Sequence, residues 1–293
     1  MIRFSKYIWV YIILSSFVLI PGLYSLIVWG LRPSIDFTGG TLMELKFEKN
    51  MSAEEIQAIA KTQSIEFIEV IQNENNVYTM RLKPMPDSVV ETFQQSLQKD
   101  AGKIEIIKKD TVGPTIGKEL LYKTVVASVF VIFAILSYVA YAFKSVKYGI
   151  AAVASLVHDM LIMFSSFSLL GHFMGIEVDT LFVTAFLTTM SFSVHDTIII
   201  FDRIREFRKK DARMKLTDIS DVAMTETIGR SLVNSFTIIF MLLALVLMGG
   251  MTVRWFAVAL LIGTVTGTYS SPFIATPVLL LLDTLEKKKN ENR

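Results

Sequence analysis

The sequence predicts an α-helical membrane protein: six transmembrane helices plus a small α+β, ferredoxin-like extracytoplasmic domain that follows the first helix. Three observations predict it. Long runs lack any ionisable residue but tyrosine or histidine, one stretch alone has the polarity of a water-soluble domain, and lysine and arginine crowd into alternate loops.

The chain of 293 residues is 52% apolar and only 19% charged, where a soluble domain carries about 25% charge. Its mean hydropathy is +0.51. A disordered chain and an ordinary soluble enzyme are excluded. A net charge of +2 gives no reason to expect a nucleic-acid partner, and the lack of cysteine removes disulfides, thiolate metal sites and a thiol nucleophile.

Tyr7–Leu31 runs 25 residues without Asp, Glu, Lys or Arg; Thr124–Phe143 gives 20, Ser231–Val253 gives 23 and Trp255–Leu282 gives 28. About 20 apolar residues cross the hydrocarbon core as a helix. Two further segments are as apolar but each holds one acid, Asp159 in Tyr148–Met174 and Asp196 in Thr180–Phe201. The first span is too long for a cleaved signal peptide and no small-residue cleavage site follows it.

Orientation follows from the basic residues of the short loops. Fifteen lie before span one, between spans two and three, between four and five and after six, against one in the two opposite loops. Both termini are therefore expected in the cytoplasm. The predicted organisation is a first helix over 1–31, an outer domain over 32–118, a five-helix membrane domain over 119–286 and a basic tail over 287–293. The charged segment 202–229, with Ile204, Phe207, Met214, Leu216, Ile219 and Val222, is expected to lie on the bilayer as an amphipathic helix.

The stretch Arg32–Lys118 holds 11 basic and 13 acidic residues. Met43, Leu45 and Phe47 alternate with polar residues as in a half-buried strand. Ser52-x-x-Glu55 is a capping box that opens a helix, Ile65–Ile71 and Val77–Lys83 read as strands around a turn at Asn75-Asn76, Ser88-x-x-Glu91 opens a second helix, and Ile104–Lys108 closes the set. The order is βαββαβ, the ferredoxin-like unit.

Asp36-Phe37-Thr38-Gly39-Gly40-Thr41 follows span one, and two adjacent glycines suit a strand-entry turn. Asp196 is the sharpest feature. A carboxylate inside a bilayer costs about 2.5–3.5 kcal/mol on the insertion scale, so it reads as a titrating or ion-handling group, or else as a structural polar contact between helices. Thr189, Ser193 and Asp196 share one helix face, and Thr184, Thr188, Ser191 and His195 another; neither suits lipid. Arg230, with Asn234 and Thr237 on its face, is expected to pair with Asp196, or else to snorkel to the interface. Desolvation and a nearby arginine act in opposite senses on a carboxylate's hold on its proton, so such a pair can take and release an ion as helices move. Asp159, beside His158, is a second proton-handling candidate or a structural hydrogen bond. His172 is expected to be solvated. The three histidines have no ligand-like spacing, so neither metal nor cofactor is expected. Gly263-x-x-x-Gly267 permits close helix approach, and Pro272 and Pro277 should break or bend span six, with packing as one reading and a hinge as the alternative.

Together these residues resemble the SecF family of bacterial Sec protein-export membrane proteins. The Asp36–Thr41 motif, Val112-Gly113-Pro114, Val157-His158-Asp159, Asp196-Thr197 through Phe201-Asp202-Arg203-Ile204-Arg205-Glu206, Gly249-Gly250 and Gly263-Thr264 to Gly267-Thr268-Tyr269-Ser270-Ser271 match in order over nearly the whole chain. The resemblance implies half of an RND-type transporter in the cytoplasmic (inner) membrane. It implies SecD as the other half, the SecYEG channel, YajC and YidC as further partners, and a translocating unfolded polypeptide as cargo, moved at the expense of the proton gradient. It also implies that Asp196 and Arg230 belong to the ion path. His195 stands where that family usually has Asn, and Asn234 where it usually has Thr, which leaves proton and sodium both open as the coupling ion.

Three other readings compete. A small-molecule efflux pump of the same superfamily would have two fused halves and larger outer domains. A scaffold protein would hold Asp196 and Arg230 as a static pair. An intramembrane enzyme would need a nucleophile–base pair or a metal motif.

Overall fold

A computed structural model of the chain describes residues 3–62, 65, 67–72, 76–211 and 213–291. The chain divides into two compact units, 33–125 and 1–32 with 126–293. The expected turn residue Asn75 and the two chain ends lie outside the described residues.

The first unit opens with a helical turn, α2 (Ile35–Thr38), which leads into β1 (Gly40–Phe47). Next come α3 (Ala53–Thr62), β2 (Phe67–Gln72), β3 (Val77–Leu82), α4 (Asp87–Ala101) and β4 (Ile104–Val112). The sheet order is β2-β3-β1-β4, all neighbours antiparallel, which is the ferredoxin-like arrangement. Period-two alternation puts Met43, Leu45 and Phe47 on one face of β1, where they pack with Tyr78, Met80, Leu82, Ile56, Phe93 and Leu97. The capping box of α3 forms in both directions: the Ser52 amide donates to Glu55 at 2.8 Å and the Glu55 amide to Ser52 Oγ at 3.2 Å. Helix α4 differs from expectation. It starts at Asp87, after Pro86 in an extended conformation, so Ser88 lies inside its first turn and caps nothing.

The glycine pair has a specific geometric reason. Ser34 caps α2, accepting from the Asp36 amide at 3.1 Å, and Gly39 then takes φ 72°. Gly40 has φ 127°, and a Cβ there would stand 2.5 Å from the Leu82 carbonyl oxygen. Only glycine allows the chain to turn out of α2 and pair at once with β3.

The second unit is a helix bundle. It holds α1 (Ile8–Val28), the later part of α5 (Pro114–Phe143), α6 (Val146–Met174), α7 (Thr180–Lys210), α8 (Leu216–Met248), α9 (Met251–Ser270) and α10 (Thr276–Glu291). Six segments among the described residues are long and apolar enough to cross a membrane. Helices α9 and α10 form one span: a π-helical turn over Ser271–Ala275 joins them. Pro272 therefore does not break the span, because the wider turn absorbs its missing N–H.

Among the described residues, the segment 202–229 forms no separate surface helix. Residues 202–210 are the last turns of α7 and residues 216–229 the first four turns of α8. The reason is burial: Ile204, Leu216, Ile219, Ala223 and Met224 face the bundle, and Arg203 links the two helices through Glu226. The same end of the bundle is tied by Lys147 to Asp283 at 2.9 Å, and by Asp221, which accepts from the Ser5 amide and hydroxyl at 2.8 Å each. At the opposite end His172 is not simply solvated. It stacks on Trp29 with centroids 3.8 Å apart.

Candidate functional site

Helices α7 and α9 approach closely where α9 carries glycine. A Cβ on Gly263 would run into the Thr189 side chain, and one on Gly267 would sit 3.2 Å from Ser193. This contact brings the polar face of α7 against α6, α9 and the π turn, and two carboxylates become buried there.

The first is Asp159 on α6. Its Oδ2 accepts hydrogen bonds from Ser193 of α7 and Ser270 of α9, each at 2.6 Å. Its Oδ1 lies 3.0 Å from His158 Nδ1, and His158 Nε2 lies 2.5 Å from Ser15 Oγ of α1. One carboxylate thus gathers four helices. With an Nδ1–H on His158, every neighbour donates to Asp159 and Ser15 donates to Nε2, so the cluster is satisfied throughout. The order Ser–His–Asp resembles a hydrolytic triad. Ser15 nevertheless lies buried, 6% exposed, with its hydroxyl held by His158 between α1 and α6.

The second is Asp196 on α7, 7% exposed. Among the described residues no group donates a hydrogen bond to it. It lines a cavity of about 220 Å³ between α7, α8, α9 and the π turn. The hydroxyls around that cavity are mostly committed elsewhere. Thr268 donates to Ser235 at 2.7 Å, Ser271 Oγ meets Thr197 at 2.9 Å, and Thr227 returns to its own helix at Ala223.

The remaining expected residues fall around this carboxylate unequally. His195 and Asn234 line a small groove with Asp196, Ser235 and Thr268. Arg230 does not meet Asp196: it is exposed, and no ion pair joins the two among the described residues. The cause is helix rotation. Arg230, Asn234 and Thr237 form the outward face of α8, while Thr227, Ser231 and Ser235 form the inward one. Sequence reasoning missed Ser231 and Ser235, whose i, i+4 spacing after Thr227 was the available signal, and also Ser15 and Ser270. No group of three or more potential metal ligands occurs among the described residues.

Comparison with known proteins agrees with this architecture. The family profile "Protein export membrane protein SecD/SecF, C-terminal" matches residues 92–285, and that of the "SecD/SecF GG Motif" matches residues 24–51, which include Gly39-Gly40. The Protein translocase subunit SecF of Thermobaculum terrenum is 38% identical over 96% of this chain and 93% of its own length. That of Anaerolinea thermophila is 35% identical over 93% and 91%. The crystal structure of SecDF, a translocon-associated membrane protein from Thermus thermophilus, superposes with a TM-score of 0.83 at 27% identity. The alignment covers 97% of this chain but 39% of that longer one, so the bundle has the form of half an RND-type transporter. The sequence relatives are named as protein translocase subunits, and by profile, sequence and fold the chain belongs to the SecD/SecF family of protein export membrane proteins, on its SecF side.

Proposed function

We propose that this chain works with a SecD half as an accessory unit of the Sec translocase, coupling a proton or sodium gradient to late export of unfolded polypeptide delivered by SecYEG. Asp196 carries the ion. The observation that supports this is the contrast between the two carboxylates: Asp159 is saturated by donors, while Asp196 is buried, unpartnered and beside a cavity. A carboxylate held so inside a membrane is stabilised by a proton or a cation.

A partner half is supported by a second feature. Thr184, Thr188, Ser191 and His195 on α7, and Arg230, Asn234 and Thr237 on α8, lie exposed on the bundle. Polar side chains at membrane depth are covered by other helices, not by lipid. On this reading Arg230 acts across the interface with the partner half, and His195 and Asn234 line the way to Asp196. Asp159 with His158 positions the helices. Gly263 and Gly267 keep α7 and α9 in contact, and Asp36, Gly39 and Gly40 seat the outer domain's first strand. The protein resides in the cytoplasmic membrane with both termini inside, by the distribution of basic residues.

Affinity purification of the full chain from native membranes tests the partnership. SecD-like and SecYEG-like proteins should accompany it, with YajC and YidC in the wider assembly, and an Arg230→Ala variant should retain less of the SecD-like partner. Recovery of the chain alone under mild detergent would contradict the half-transporter reading. Export driven by a sodium gradient at constant pH, against a proton gradient without sodium, identifies the ion.

A further inference from the structure

We propose that the cavity beside Asp196 is a binding site for a small lipophilic primary amine, an arylalkylammonium ion in chemical class, whose occupancy blocks the ion site. The inference rests on the reading of Asp196 as the ion carrier and adds a ligand to it.

One acid at this cavity lacks a donor. The Asp196 carboxylate has no hydrogen-bond donor among the described residues, and the residue is 7% exposed; the Oγ of Ser231, in the same wall, is buried and closed off from the cavity. Thr268 donates to Ser235, and Thr227 and Ser271 donate to backbone carbonyls of their own helix or turn. Everything else in the wall is apolar: Ile200 from α7, Ile228 and Ile239 from α8, Val265 from α9, and Pro272 and Phe273 from the π turn.

This combination selects the chemistry. A proton or a bare cation satisfies the carboxylate but leaves about 220 Å³ of apolar space. A lipid tail fills the space but leaves the carboxylate unpartnered, which is costly away from water. A primary ammonium carries N–H donors for it, and its charge complements the carboxylate at a site of low dielectric. The size selects the body. An apolar cavity of roughly 150 Å³ holds benzene, so this one takes one aromatic ring and a short chain. The half-exposed Leu232, Phe236 and Val265 at its rim give entry from the outside of the bundle.

The test uses the full chain in lipid nanodiscs. The probes are 3-(4-fluorophenyl)propylamine and its neutral counterpart 3-(4-fluorophenyl)propan-1-ol, followed by fluorine NMR line broadening, with empty nanodiscs to measure partition into lipid. Saturable binding of the amine is expected, at least tenfold tighter than that of the alcohol. Asp196→Asn should abolish it, and Ile228→Phe, which narrows the cavity and keeps the carboxylate, should weaken it at least tenfold. Equal binding of amine and alcohol, or signals no different from empty nanodiscs, means membrane partition only and overturns the proposal. Should Asp196→Asn fail to fold, unchanged affinity in Ile228→Phe overturns it equally. The ion reading fails separately: amine binding that depends on Asp196, with gradient-driven export intact in Asp196→Asn, removes the ion role and keeps the ligand site. Absent binding with the gradient response lost does the reverse.

Discussion

Two aspartates on adjacent helices have opposite surroundings, and the proposed division of their roles rests on that difference. Asp159 receives Ser193 and Ser270 at 2.6 Å each, so removing one donor strips a charge-assisted hydrogen bond from a buried group. Interhelical hydrogen bonds in membranes average about 0.6 kcal/mol, and those to charged groups run higher, to about 1.5–3 in soluble proteins. Ser270→Ala should therefore lower stability by about 1–2 kcal/mol, seen as a lower thermal midpoint in detergent, while Ser231→Ala, whose hydroxyl bonds nothing, should change the midpoint little. Both acids were legible in the sequence, because an ionisable residue within an apolar span is rare enough to stand out. Their partners were not. Serine and threonine in a membrane helix can always bond their own preceding turn, as Thr227 and Thr237 do, so composition does not tell which hydroxyl reaches across to a neighbour.

Element-scale features were legible where a pattern has a period. Alternation along β1 named its buried face, and the capping box set the start of α3. Helix α8 carries polar residues on two faces, Thr227, Ser231 and Ser235 on one and Arg230, Asn234 and Thr237 on the other, so its rotation is set by packing, and the outward turn of Arg230 could not be read from spacing alone. The π turn at Ser271–Ala275 was likewise hidden, since Pro272 signals a disturbance without saying which kind. Helix contacts make a sharper prediction. Gly263→Ala puts a methyl group into Thr189 and should cost about 1–3 kcal/mol by overpacking. Gly229→Ala has open space around it and should be neutral or stabilise by up to about 1 kcal/mol through helix propensity. Parallel melting curves of the two variants check this, and equal midpoints would contradict the close α7–α9 contact.

At the scale of the whole molecule, four uncharged runs and two apolar segments with one acid each sufficed for six spans, and a separate hydrophobic core identifies the α+β unit. That core includes fully buried Met43, Leu45, Tyr78, Phe93 and Leu97, so a fragment covering residues 33–112 should fold alone and give a dispersed amide spectrum. Topology follows from charge: cysteines placed at Ser52 and at Lys209 should react with impermeant reagents from opposite sides of the membrane, and labelling from one side would overturn the orientation. On the proposed function, the unpartnered carboxylate in the bundle ties export to an ion gradient. Each charge moved through 100 mV supplies about 2.3 kcal/mol, enough to bias a two-state transporter. The direct measurement is polypeptide export into inverted membrane vesicles, with and without an imposed gradient, for the parent chain and for Asp196→Asn. The variant should assemble with its partners, keep gradient-independent export, and lose the gradient-dependent increase; an increase equal to the parent's would contradict the claim.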